Sequence, residues 1–239
     1  MNVITINNLS KNYKSKRALD NLSLTIREGE LFGLLGVNGA GKTTLIKILC
    51  GLTKKASGSV TISGFDLDKD INKIKEIIDI SPQETSVANN LTVMENLEFF
   101  ANIYNVNQVE TISEIIKTFN LSEVLNQRAK TLSGGYKRRL SIAVALISKP
   151  KILFLDEPTL GLDVFARREL WEIIKKLKND MTIILTSHYL EEIENLCDRV
   201  AILSNGKLLQ TGTTNEIRKL TSTERFEDAF IKLVEATNE

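Results

Sequence analysis

Gly36-Val37-Asn38-Gly39-Ala40-Gly41-Lys42-Thr43-Thr44 is the stretch whose reading decides the fold. It follows an apolar run, Leu31-Phe32-Gly33-Leu34-Leu35, with the composition of a buried strand. It opens into Leu45-Ile46-Lys47-Ile48-Leu49-Cys50, which reads as a helix ended by Gly51. Strand, glycine loop and helix in that order turn the G-x-x-x-x-G-K-[ST] spacing into a phosphate-binding pattern. Glycines let the backbone curl so that successive N–H groups point at one anion. The helix that follows adds its free N–H groups and the positive end of its dipole. On this reading Asn38, Gly39, Ala40, Gly41, Lys42, Thr43 and Thr44 contact a nucleotide. Lys42 reaches its β and γ phosphates, and the Thr43 hydroxyl is placed to ligate Mg²⁺.

Bulk properties narrow the setting. The chain has 239 residues and carries 31 basic against 30 acidic side chains, a net charge of +1. That length suits one large α/β domain, or a domain with a smaller inserted lobe. Balanced charge gives no electrostatic case for nucleic acid or an anionic membrane surface. Cys50 and Cys197 lack metal or redox spacing and fall in apolar stretches that read as helical, so they are expected as buried thiols in a reducing compartment. Met1-Asn2-Val3-Ile4-Thr5 lacks the basic and apolar regions of a signal peptide. No apolar run approaches the ~18 residues needed to span a bilayer. A soluble, cytoplasmic chain is the expectation.

Along the chain, Val3 to Leu9 and Leu22 to Ile26 alternate like strands, with a polar turn around Lys14-Ser15-Lys16-Arg17. Ser59 to Ile62 and Ile77 to Ile80 read as further strands, the second buried and running into Pro82-Gln83. From about Glu84 to Arg128 there are no β-rich runs and no glycine. Val93, Leu97, Phe100 and Tyr104 recur there at helical spacing, as do Ile112, Ile115, Ile116 and Phe119, which predicts an inserted helical lobe. A helix is expected from about Tyr136 to Ser148, then a fully buried strand at Ile152 to Asp156. Val164 to Asn179 is amphipathic, Thr182 to Thr186 a strand and Tyr189 to Cys197 a helix. Asn205-Gly206 between two apolar runs is a hairpin signal. The tail from Thr221 is expected to be a surface helix.

Asp156-Glu157 supplies a second nucleotide element. Four apolar residues carry Asp156 to the C-terminal end of a core strand, where α/β folds bind ligands. Asp156 there holds Mg²⁺, directly or through water. Glu157, one residue on, stands next to the expected γ-phosphate, where a carboxylate orients and deprotonates the attacking water.

With these elements the chain resembles the ATP-binding subunit of an ABC transporter, nearly end to end. The most diagnostic segment is Leu132-Ser133-Gly134-Gly135-Tyr136, similar to the family's LSGGQ signature, with Tyr136 in place of the usual glutamine. The resemblance implies an α/β fold: a P-loop NTPase (ABC ATPase) core, an N-terminal antiparallel β subdomain and an inserted α-helical subdomain at 84–130, within one domain spanning 1–239 whose helical tail is 221–239. It implies ATP and Mg²⁺ as ligands. It also implies that Ser133, Gly134 and Gly135 of one subunit meet the γ-phosphate held by a second, in a head-to-tail homodimer around two ATP molecules.

Other positions carry over one by one. Tyr13 matches the aromatic that stacks on adenine. Gln83 matches the glutamine loop, reaching Mg²⁺ or the attacking water. Asp163, in Leu160-Gly161-Leu162-Asp163, matches the loop that crosses the dimer interface, with Gly161 a departure from the usual alanine. His188, the only histidine, matches the switch residue that contacts the γ-phosphate. Glu157, His188 and Gln83 are thus the catalytic candidates, and Thr43, Gln83 and Asp156 the metal candidates.

Two features stay open. Lys137-Arg138-Arg139 either holds nucleotide or partner charge or forms a solvated helix turn. The stripe Leu97, Phe100 and Tyr104 either packs the lobe's core, the favoured reading, or lines a groove for a partner helix.

The resemblance implies an ATPase at the cytoplasmic face of a membrane, attached through a separate permease. Pro158 to Asp163, Ser187 to Glu192 and Phe226 to Phe230 are similar to ATPases of ABC-2 type exporters, which favours outward transport. The rivals are a non-transport ABC ATPase regulating a membrane complex and a nucleic-acid-associated one. The second is disfavoured by a single cassette without basic excess or long heptads. A GTPase is disfavoured by the absence of Asn-Lys-x-Asp.

Overall fold

The computed structural model describes residues 1–14, 16–106 and 108–236. The turn expected around Lys14 to Arg17 includes Ser15, the segment 84–130 includes Asn107, and the tail includes 237–239. Those positions lie outside the described residues.

The fold is α/β. β1 (Asn2–Tyr13) and β2 (Lys16–Arg27) pair antiparallel. Both run further than the apolar alternation indicated, because polar positions stay in the ladder across register shifts. Asn8 and Asn21 take left-handed backbone (φ 48° each) beside those shifts, a conformation asparagine tolerates well. β3 (Leu31–Leu35) leads through the glycine loop into α1 (Lys42–Leu49). β4 (Ser57–Ile62) and β5 (Phe65–Asp66) complete a four-stranded sheet in the order β2-β1-β4-β5. α2 (Ile71–Lys75) then precedes β6 (Ile78–Ser81).

The next strand arrives only after three helices: α3 (Val93–Tyr104), α4 (Gln108–Thr118) and α5 (Gly134–Ala145). Thr92 and Glu95 form a capping box that starts α3, satisfying two otherwise free N–H groups. Val93, Leu97, Ala101, Ile112, Ile115 and Phe119 are buried. Leu97 therefore belongs to the core while Tyr104 does not, so the stripe read on α3 splits. The Tyr104 hydroxyl instead donates to Asp79 on β6 at 3.0 Å, and Phe99 and Ile103 are exposed.

β7 (Ile152–Asp156), α6 (Val164–Leu177), β8 (Thr182–Ser187), α7 (Leu190–Leu196), β9 (Arg199–Ser204) and β10 (Lys207–Gly212) follow, then α8 (Thr214–Thr221) and α9 (Phe226–Glu235). The second sheet has six strands in the order β10-β9-β3-β8-β7-β6. Its β9-β3-β8-β7-β6 part is parallel, and β10 closes it as a hairpin. Asn205 and Gly206 both have positive φ (48° and 78°), as a tight hairpin turn between right-twisted strands requires.

Alternation along the central strands explains the layering. Phe32, Leu34, Phe154 and Ile184 face the antiparallel sheet and α1, joining Ile4, Ile6, Leu9 and Leu45. Leu31, Leu35, Leu153, Leu155, Ile183 and Leu185 face the helices, joining Leu140, Leu170 and Ile174. Both faces are covered, which is why these strands read as continuous apolar runs.

One expectation needs correction. β6 is an edge strand, so Asp79 and Ile80 are only partly buried. α5 starts at Gly134, capped by Ser133, within two residues of the expected start. α9 lies on the surface as expected, with Glu227, Asp228, Ile231, Lys232 and Glu235 exposed, and it is anchored through the buried Phe226 and Ala229. Cys50 and Cys197 are the free thiols expected, placed at helix C-caps, and burial pushes both thiols up and keeps them protonated.

Candidate active site

The parallel register places the chemistry. β8 lies between β3 and β7, with Leu35 opposite Ser187 and Asp156 opposite Thr186. The glycine loop, Asp156-Glu157 and Ser187-His188 therefore leave one sheet edge side by side, at the carboxyl ends of the strands. β6 delivers Gln83 to the same edge, since Ser81 pairs with Leu155.

These segments enclose a cleft of about 420 Å³. It is lined by Tyr13, Asn38, Gly39, Ala40, Gly41, Lys42, Thr43, Thr44, Gln83, Glu157 and His188. Lys16, Ala18 and Leu160 also line it, and no local pattern in the sequence marks them. The first two come in on β2, whose Asp20 N–H donates to Gly206 O at 2.9 Å. Ser133, Gly134, Gly135 and Asp163 stay outside the cleft.

Glycine is required twice in the loop. A Cβ on Gly36 would sit 2.5 Å from Leu203 O, and one on Gly41 would sit 2.7 Å from Ala18 O. Gly41 also has φ 107°, outside the range of ordinary side-chain-bearing residues. Lys42 is buried, its Nζ donating to Gly36 O at 2.6 Å and lying 3.6 Å from Glu157 Oε1.

Asp156 and Glu157 are fixed from behind. Thr186 Oγ1 donates to Asp156 Oδ1 at 2.6 Å and accepts the Glu157 N–H at 2.9 Å. Thr43 Oγ1 donates to the same Asp156 oxygen at 3.3 Å. Glu157 has left-handed backbone (φ 50°), so the chain turns sharply and its carboxylate faces the cleft. Glu157 Oε2 lies 2.7 Å from His188 Nδ1. The tilted Tyr189 ring, 4.1 Å from the imidazole centroid, backs the histidine.

Arg138 is the group sequence reasoning misplaced. It is neither solvated nor a nucleotide ligand. It is buried, donating to Pro82 O (2.6 Å), Pro158 O (2.8 Å) and Asp156 O (2.9 Å). Burial lowers its pKa to about 10, against the pull of Asp156, Glu192 and Glu157, so it stays charged at neutral pH. Arg139 is buried too, stacked 4.3 Å from the Tyr136 ring centroid and paired with Glu169 at 3.2 Å.

The remaining predicted residues form a second locus. Ser133 Oγ accepts the Tyr136 N–H at 3.4 Å, capping α5. Asp163 Oδ1 accepts the Phe165 and Ala166 N–H groups, capping α6. A Cβ on Gly135 would lie 3.0 Å from Ala166 Cβ, so the two helix starts are neighbours. Leu160, Val164 and Phe165 are exposed beside them, Phe165 by 82%.

Thr43 lines the cleft and its hydroxyl meets the carboxylate of Asp156, which is buried just behind the lining, so oxygen donors are gathered there. That is the donor chemistry of Mg²⁺, a hard cation usually held by a carboxylate or two plus substrate phosphates and not by an all-protein cage. Among the described residues no group of three or more His, Cys, Asp or Glu is arranged to hold a metal ion by itself.

Parallel sheet, glycine loop and flanking carboxylates define a P-loop nucleotide hydrolase. The sequence profile of the ABC transporter family matches residues 19–160. The linearmycin resistance ATP-binding protein LnrL of Bacillus subtilis is 40% identical over 214 residues, covering 88% of this chain and 69% of LnrL. Other curated relatives are longer, and the chain spans only 13% to 42% of their length. The structure of an ATP-binding subunit of an ABC transporter superposes with a TM-score of 0.86 at 28% identity, covering 97% of this chain and 99% of that one. The dimeric, post-hydrolysis ATP-binding cassette MJ0796, bound to ADP and Pi, has a TM-score of 0.79 at 27% identity, covering 88% and 98%. The chain belongs to the ABC transporter family, as an ATPase cassette. No helix among the described residues is long and apolar enough to cross a membrane.

Proposed function

We propose that two copies of this chain close around two ATP molecules and Mg²⁺ and power outward transport through a separate permease, at the cytoplasmic face of the membrane. The observation that carries the proposal is Glu157 at the cleft, flanked by Lys42 and His188. Lys42 turns from Gly36 O to the incoming β and γ phosphates. Glu157 accepts a proton from the attacking water, and His188, bonded to it, contacts the γ-phosphate. Thr43, Asp156 and Gln83 hold Mg²⁺, which offsets phosphate charge. Tyr13, 45% exposed at the cleft rim, stacks on adenine.

The dimer reading is supported by the second locus. Ser133, Gly134 and Gly135 lie at an exposed helix N-terminus, an anion site, yet outside their own chain's cleft. The family neighbour MJ0796 is described as dimeric. Asp163 and the apolar Leu160, Val164 and Phe165 would then lie at the interface. Residues 1–239 act as one cassette, 84–130 as its inserted lobe and 221–239 as its tail. Replacing Ser133 by arginine puts a bulky cation where the second subunit's phosphate would dock. Ser133→Arg is expected to leave ATP binding to the monomer near wild type and to abolish cooperative hydrolysis. Cooperative turnover in that variant would refute the sandwich.

Export is favoured because the Bacillus relative is named for resistance to linearmycin. The exposed Phe99, Ile103 and Tyr104 on α3 offer a permease a contact surface. A tagged chain pulled from its native membranes is expected to bring a multi-helix permease without a substrate-binding protein. Recovery of a cell-wall or division complex would leave the ATPase and overturn the transport reading.

A further inference from the structure

Glu192 on α7 is 0% exposed. Its Oε1 accepts the indole N–H of Trp171 at 3.1 Å, while Oε2 has no hydrogen-bond partner among the described residues. Thr159 Oγ1 is likewise buried and without a partner. These two atoms belong to one neighbourhood. The Thr159 and Ser187 hydroxyls stand close enough to Glu192 to favour its ionised form, opposing the burial that drives its pKa up. Thr159 Oγ1 and Glu192 Oε2 thus stand within reach of each other without the alignment of a hydrogen bond, an arrangement with a second, satisfied state.

The position of the pair gives that state a purpose. Thr159 lies inside the turn that begins at Glu157, where Leu160 N–H donates to Glu157 O at 3.2 Å. Arg138 Nε holds one side of this turn through Pro158 O. The Thr159 side is the open one. Glu192 also adjoins Ser187, which precedes His188 and whose hydroxyl oxygen accepts the Tyr189 N–H at 2.9 Å. One buried carboxylate thus adjoins both segments that bring Glu157 and His188 within 2.7 Å of each other.

We propose that Glu192 is a positioning residue for hydrolysis: in the turnover-competent state the Thr159 hydroxyl donates to the free Glu192 oxygen and locks the Glu157 turn against the His188 segment. The inference rests on Glu157 and His188 acting in the hydrolytic step. It assigns Glu192 no contact with ATP, so its loss changes the rate and not the binding of substrate. Neither end of the lock lines the cleft.

The test is steady-state ATP hydrolysis by the whole chain carrying Thr159→Val, which keeps shape and removes the hydroxyl. Displacing a reacting group by ~1 Å can cost about 10²-fold, so a kcat loss of at least roughly tenfold is expected, with KM for ATP near wild type. Thr159→Ser, which retains the hydroxyl, is expected to restore most of the rate. Glu192→Met is expected to lower kcat similarly, and the double variant to be no slower than either single one. Should Glu192→Met fail to fold, the Thr159→Val and Thr159→Ser pair still decides. Wild-type kcat in Thr159→Val, equal loss in Thr159→Ser, or multiplying losses in the double variant would each overturn the lock. Glu157→Gln is the reference. Normal hydrolysis there overturns the reading beneath the inference, whereas an inactive Glu157→Gln beside an unimpaired Thr159→Val overturns the lock alone.

Discussion

Glu157→Gln is expected to lower ATP hydrolysis by roughly 10²–10⁴-fold while ATP still binds, because a positioned general base contributes about that much to rate. At 1.36 kcal/mol per tenfold, this corresponds to about 3–5 kcal/mol of transition-state stabilisation. Glutamine matches glutamate in shape, and its amide oxygen can still accept from His188 Nδ1 across the 2.7 Å contact. What it cannot do is take a proton from water. Ground-state binding should hold or improve, since Lys42, 3.6 Å from the carboxylate, loses a competitor for its charge and the γ-phosphate loses a like-charged neighbour. A bound nucleotide that is not consumed should then keep two copies together. Calorimetry for affinity, a phosphate-release assay for turnover and gel filtration with ATP for assembly separate these effects. Hydrolysis near the wild-type rate would remove Glu157 from the base role, and a variant that stays monomeric with ATP would remove nucleotide as the glue.

The parts of this cleft that the sequence announces are those whose geometry is local. The glycine loop needs only its own residues and the helix it starts, so its spacing suffices. Asp156 and Glu157 were readable because four apolar residues fix where β7 ends. Ser133 and Asp163 read as interface residues by resemblance, and the structure adds that each caps a helix. Tertiary relations were not readable. Thr186 becomes the support of Asp156 and Glu157 only through the parallel register of β7 and β8, which no short window encodes. Lys16 and Ala18 reach the cleft because β2 lies against the β9–β10 turn. A charged run just after a glycine pair reads equally as nucleotide- or partner-facing or as solvated, yet α5 turns Arg138 and Arg139 inward, one toward backbone carbonyls and the other under Tyr136. Glu192 reads as one acid among several in Glu191-Glu192-Ile193-Glu194, and only its place on α7 buries it.

Arg138→Met is expected to cost about 3 kcal/mol or more of stability, at ~1–3 kcal/mol for each buried polar group left unpaired. The guanidinium ties together three chain segments that share no sequence neighbourhood: the end of β6 through Pro82 O, the end of β7 through Asp156 O and the catalytic turn through Pro158 O. Methionine fills comparable volume but offers those carbonyls no donor, and with Arg138 buried, water has no ready route to replace it. Lysine should rescue only in part. Its single ammonium lacks the planar fork that reaches several acceptors at once. For a chain of this size each kcal/mol shifts Tm by about 2–4 °C, so the methionine variant should melt roughly 6–12 °C below wild type. The catalytic effect should exceed what destabilisation explains, because Pro158 directly follows Glu157 and freeing its carbonyl frees the base. Turnover measured well below the variant's Tm is therefore expected to fall while ATP binding persists. A melt indistinguishable from wild type would mean that the carbonyls find other donors and that Arg138 is not the clamp of this edge. A large fall in Tm with unchanged turnover of the folded variant would mean that β7 and Thr186 alone suffice to aim Glu157.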